Sequence, residues 1–182
     1  MKVIRKSLLV LAASVGLMAQ TASAIELTSS DFKNGDTLSQ EQVFNSFGCD
    51  GGNLSPELKW TAGPDGTQSY ALMVYDPDAP TGSGWWHWVV FNIPVTVTEL
   101  PKGFLASDTS IPGLIQSNTD FGKPGYGGPC PPPGKVHHYH FTIYALKVKA
   151  LPLDATATAA MVGFYVHQNM LAKATLTGLY QK

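Results

Sequence analysis

Arginine is nearly missing. Arg5 is the only one in 182 residues, so any anion held by the rest of the chain must be held without a guanidinium fork. Charge of either sign is scarce at 14%, and beyond residue 24 nine basic residues face thirteen acidic ones, which argues against a nucleic-acid partner. Cysteine occurs twice, at Cys49 and Cys130, without the paired C-x-x-C spacing of a zinc site. No apolar run reaches the ~20 residues that a bilayer core requires. There is no G-x-S-x-G elbow and no H-E-x-x-H zinc helix. "TDFG" at Thr119 to Gly122 has neither the phosphate loop nor the catalytic loop that a kinase needs beside it.

The N-terminal segment has another purpose. Lys2, Arg5 and Lys6 precede an apolar stretch from Leu8 to Met18, and Ala22-Ser23-Ala24 supplies a small-residue cleavage pattern. Residues 1–24 are therefore expected to be a cleaved secretory signal, and residues 25–182 a single soluble domain in the periplasm or outside the cell. In such a compartment Cys49 and Cys130 are expected to pair. A disulfide linking positions 81 apart stabilises by about 4 kcal/mol on the chain-entropy model.

Period-two patterns dominate the middle of the chain. Tyr70–Tyr75, Trp86–Ile93 and Tyr139–Val148 are rich in β-branched and aromatic residues, and Gly/Pro clusters bound them, so each reads as a strand. "KPGYGGPCPPPGK" is too rich in glycine and proline for regular structure. Asp154 is placed to cap a helix over Ala155–Met170, with Met161, Phe164, Tyr165 and Gln168 at i, i+3, i+4 and i+7; "AKATLTGLYQ" then resumes an extended pattern. The expected fold is mainly β, with two packed, predominantly antiparallel sheets and a C-terminal helix.

Several polar residues are candidates for chemistry. Alternation along the second strand puts His87, Val89, Phe91 and Ile93 on one face and Trp86, Trp88, Val90 and Asn92 on the other. His87 then reaches the rim where Asp76 and Asp78 end the preceding strand. Two readings stand: a functional cluster, or Asx-turns before Pro77 and Pro80 beside a satisfied histidine. In "HHYH", His137 shares a face with Tyr139, while His138 and His140 share the other, so the three imidazoles cannot meet one metal ion. No metal or cofactor is expected. Trp85, Trp86 and Trp88 read first as packing residues, with a pocket rim as the alternative.

Taken together, "YDPDAP" (75–80), "HWVVFNIP" (87–94), "GPCPPPGKVHHY" (128–139) and "NLSPELKW" (53–60) resemble the phosphatidylethanolamine-binding proteins, also called Raf kinase inhibitor proteins; "TDFGKPGYGGPCPPPG" is similar to the bacterial branch. The resemblance runs from about Phe32 to Tyr180. It implies a large antiparallel sheet against a smaller one, with a shallow anion pocket at the end of the large sheet. By position, the pocket residues would be Asp76, Asp78, His87, Pro129, His137 and Tyr139. His138 stands where the family usually has arginine, and Pro131 to Pro133 add prolines to the loop. Bacterial relatives further imply a homodimer.

In such a pocket His87 and His137 would offer ring N–H groups, and Tyr139 its hydroxyl, to a phosphate-like group. Asp76 or Asp78 would stand behind a histidine and accept its second N–H, or one carboxyl would itself be protonated. Affinity would rest on histidine charge and would strengthen on acidification through about pH 6.5. The leading functional expectation is a non-catalytic binding protein for phosphorylated or other anionic small molecules. The alternatives are a modulator of an extracytoplasmic or host protein target and an acid-base enzyme using Asp76, Asp78 and His87.

Overall fold

A computed structural model describes residues 24–182; the expected signal segment lies outside the described residues, apart from Ala24. Three long strands form where alternation was strongest: β3 (Ser69–Asp76), β4 (Trp85–Pro94) and β7 (His137–Leu146). With β6 (Ile115–Gln116) and β8 (Met170–Tyr180) they make a five-stranded antiparallel sheet ordered β6-β4-β3-β7-β8. The smaller sheet orders β1 (Leu27–Thr28), β2 (Leu58–Trp60) and β5 (Glu99–Leu100). One helix among the described residues, α1 (Ala159–Asn169), leads directly into β8. No described helix is long and apolar enough to cross a membrane.

The large sheet is apolar on both faces because each is covered. Tyr70, Leu72 and Val74 of β3, with Phe141 and Ile143 of β7, pack towards Leu58, Trp60 and Leu100 of the small sheet. Ala71 and Met73 point the other way, with Val89, Phe91 and Leu146, against Ala159, Val162 and Val166 of α1. Each fully buried aliphatic side chain contributes about 1.5–3 kcal/mol of transfer free energy. Cys49 and Cys130 form a disulfide with Cα atoms 6.0 Å apart, tying the segment after Phe44 to the proline-rich loop.

Strand β4 departs from simple alternation at two places. Val74 pairs with Trp88 and Tyr75 with Trp86, leaving His87 as an extra residue; Tyr70 pairs with Ile93 and Leu72 with Val90, leaving Ala71 opposite two residues. Such bulges reset which face a side chain takes. Trp88, Val90 and Ile93 consequently share the small-sheet side, whereas Trp86, Val89 and Phe91 share the helix side. The expected pairings of Val89 with Phe91 and of Trp88 with Val90 therefore hold, while His87, Ile93 and Trp86 change face relative to them. Asn92, at φ 55°, makes the second bulge: it donates to the Leu151 carbonyl at 3.3 Å and accepts from the Leu151 N–H at 2.7 Å.

The helix is also shorter than expected. Asp154 does not cap it; its carboxylate accepts from the Thr156 N–H (2.8 Å) and hydroxyl (2.6 Å) in a local turn. Thr158 is the N-cap, accepting from the Met161 N–H at 3.2 Å. The buried stripe is Ala159, Val162, Gly163 and Val166, while Met161 and Phe164 are 48% and 58% exposed. Small residues let the helix lie close to the sheet, so the bulkier stripe faces away. Thr158→Ala should lower stability by about 1 kcal/mol in urea unfolding. Asp154→Ala should leave the helix N-terminus protected in amide exchange; equal losses would return the cap to Asp154.

Candidate functional site

At the end of the large sheet, on its small-sheet side, β3, β4 and β7 bring their terminal polar residues together. Asp76, His87, His137 and Tyr139 all border one cavity of ≈ 170 Å³. Aromatic and proline surfaces complete the walls, chiefly Phe47, Trp85, Phe121, Pro131 and Pro132, with Cys130 of the disulfide among them. Asp78 and Pro129 are not in the wall. Pro129 stands behind it, its carbonyl accepting from the Phe44 N–H at 3.0 Å.

The bulge in β4 is what delivers His87. Its ring meets Tyr139 edge-on at 5.0 Å and Phe121 at 5.4 Å. His87 Nδ1 lies 2.6 Å from the Gly127 carbonyl oxygen. A carbonyl only accepts, so Nδ1 carries the proton. Gly127 is held in turn, because its N–H donates to the His87 carbonyl at 2.9 Å. On either side, Asn53 donates to the Tyr126 carbonyl (3.2 Å) and accepts from the Gly128 N–H (2.8 Å). A Cβ on Gly127 would fall 2.3 Å from the Phe121 ring, and one on Gly128 would fall 2.0 Å from the Gln42 carbonyl, so only glycine permits this approach.

His137 and Tyr139 share the inner face of β7. The buried His137 donates from Nδ1 to Asp76 Oδ2 at 2.7 Å, leaving Nε2 as the nitrogen available to a ligand. Asp76 Oδ1 accepts from the Asp78 N–H at 2.8 Å, so both carboxylate oxygens are occupied from behind the cavity. The expected carboxylate behind a histidine is Asp76. Asp78 instead turns outward and accepts from the His138 N–H (2.9 Å) and ring Nδ1 (2.7 Å). Burial pushes the Asp78 carboxyl up, but these bonds outweigh it and hold it below its ordinary value. His138 and His140 stack on the opposite face at 6.4 Å.

Four buried side-chain polar atoms lack a partner among the described residues, and only the Tyr139 hydroxyl belongs to a residue of the cavity wall. Burial, then the nearby Asp76 charge, push this phenol well up, so it remains a hydroxyl donor. Burial also pushes the His87 imidazole down to about 4, against the opposing pull of the Gly127 carbonyl, Asp76 and Asp120. His87 is therefore neutral where the sequence led us to expect charge. The walls Phe47 and Phe121 had no periodic signal, since both lie in irregular segments; the paired glycines at 127 and 128 were the available clue to a close backbone approach.

Comparisons with known proteins agree on the family and the fold. The family model for phosphatidylethanolamine-binding protein matches residues 28–181. The UPF0098 protein YbcL of Escherichia coli K12 is 50% identical over 163 residues, covering 88% of this chain and 89% of the relative. UPF0098 protein YbhB of the same organism is 48% identical, covering 86% of this chain and 99% of its own. The crystal structure of E. coli YbcL superposes with a TM-score of 0.85 at 47% identity, covering 88% of this chain and 99% of that one.

The buried neutral His87 carries a stability signature. Its folded-state value lies below the ordinary 6.5, so between about pH 6.5 and 4 the unfolded chain binds the extra proton. Stability present above pH 6.5 should be lost as pH falls through that window, by about 3 kcal/mol. Urea titrations of the wild type and His87→Gln should differ in slope there. Parallel curves would mean that His87 is not held neutral.

Proposed function

We propose, from the premise that this chain belongs to the phosphatidylethanolamine-binding protein family, that it is a non-catalytic binding protein whose cavity at the large sheet's end takes a small phosphorylated or other anionic group. The observation that carries this reading is the hydroxyl of the wall residue Tyr139, buried and without a partner among the described residues. A buried donor left unsatisfied costs about 1–3 kcal/mol, which a ligand oxygen recovers. His137, oriented by Asp76, supplies a second ligand-facing nitrogen. The aromatic walls exclude water and strengthen both contacts.

The periplasm is the proposed compartment, supported by the signal pattern of residues 1–24 and by the Cys49–Cys130 disulfide. Homodimer assembly belongs to the same reading and is supported by the resemblance alone. The buried His137–Asp76 pair also has the form of an acid-base pair, which favours a hydrolytic or isomerising enzyme as the second reading. Turnover abolished by Asp76→Asn with binding retained would select it.

Calorimetry with inorganic phosphate and methyl phosphate tests the binding reading. Tyr139→Phe should weaken binding by about 1.5–3 kcal/mol, the usual worth of a hydrogen bond to a charged group. His137→Ala should weaken it at least as much, whereas His140→Ala, on the opposite face, should leave it unchanged. No heat with either ligand, or equal losses at 137 and 140, would contradict the assignment.

A further inference from the structure

We propose that the cavity selects phosphomonoesters, which carry a P–OH, over phosphodiesters and sulfate, because that hydroxyl donates to Nε2 of His87. The inference rests on the reading of the cavity as a phosphate site and adds which phosphates enter it. Its basis is the direction of one hydrogen bond. Nδ1 of His87 must donate to the Gly127 carbonyl, 2.6 Å away, and a neutral imidazole has a single N–H. Nε2 is then a bare lone pair, and it has no protein partner among the described residues.

The surroundings keep it so. His87 is faced by Asp76 from β3, by His137 and Tyr139 from β7, and by Asp120, Phe121 and Gly127 from the loop across the cavity. Burial outweighs the two carboxylates and holds the ring neutral down to about 4. The Asn53 bonds to Tyr126 and Gly128 fix the Gly127 carbonyl, so the ring cannot exchange its tautomer without losing that partner. A ligand entering here therefore meets an acceptor at Nε2 of His87.

Sulfate, a phosphodiester and a phosphate dianion present only acceptor oxygens, so one of them would face the Nε2 lone pair. The monoanion of a monoester presents both kinds. A site built around a ligand hydroxyl rejects analogues lacking it because its own polar group is left unpaired. Soluble monoesters and a lipid ending in a monoester share this chemistry; a diester headgroup does not.

The test is calorimetry of the full domain with methyl phosphate, dimethyl phosphate and sulfate at pH 6, repeated with methyl phosphate up to pH 8. Methyl phosphate should bind at least tenfold more tightly than the other two. Its affinity should fall about tenfold per pH unit above the second ionisation near 6. With trifluoroethyl phosphate, whose second ionisation is lower, the fall should begin at correspondingly lower pH. In His87→Gln, whose amide offers N–H groups, the preference should shrink towards unity; should that variant not fold, the wild-type series decides alone. Equal affinities, or a pH profile that ignores the ligand's own ionisation, would overturn the selection while leaving an anion site standing. No binding of any of the three would remove both.

Discussion

The hydrogen bond from His87 Nδ1 to the Gly127 carbonyl joins the end of β4 to the irregular loop that closes the cavity. Around it the backbone is arranged for close contact: Gly127 returns an N–H to His87, Asn53 clasps the residues on either side, and Phe121 covers the glycine. A side chain at either glycine would force the loop outwards. The same bond decides the chemistry, because a buried imidazole whose one proton is committed to a carbonyl is an acceptor to everything else.

Charge scarcity gives that detail its weight. No arginine lies beyond residue 5, and neither lysine nor arginine borders the cavity. With His87 held neutral and Asp76 accepting from His137 and Asp78, the proposed recognition would rest on directional hydrogen bonds inside aromatic and proline walls instead of on concentrated positive charge. His138 is turned away from the cavity and bound to Asp78. The disulfide keeps this arrangement covalently closed, since Cys130 is itself part of the wall.

The long strands were legible because both faces of the large sheet are buried, which leaves β-branched and aromatic runs between turn formers. Inner and outer positions in β7 followed from alternation, so His137 and Tyr139 were correctly separated from His138 and His140. In β4 alternation held only between the bulges, for Trp88 with Val90 and Val89 with Phe91. Two bulges reset the period, and only Asn92, of a residue type that tolerates positive φ, offered a local signal for one of them. The helix misled differently, since its buried stripe is made of small residues and its exposed stripe carries Met161 and Phe164. The cavity walls at Phe47 and Phe121 lie in loops, where position is set by tertiary contacts that leave no local pattern.

The chemistry of the cavity turns on which nitrogen of His87 holds the proton. Long-range ¹H–¹⁵N correlation spectra of the ¹⁵N-histidine-labelled protein at neutral pH read this directly. A protonated Nδ1 with an unprotonated Nε2, unchanged down to about pH 5, is the predicted result. A proton on Nε2, or an imidazolium pattern at neutral pH, would contradict it.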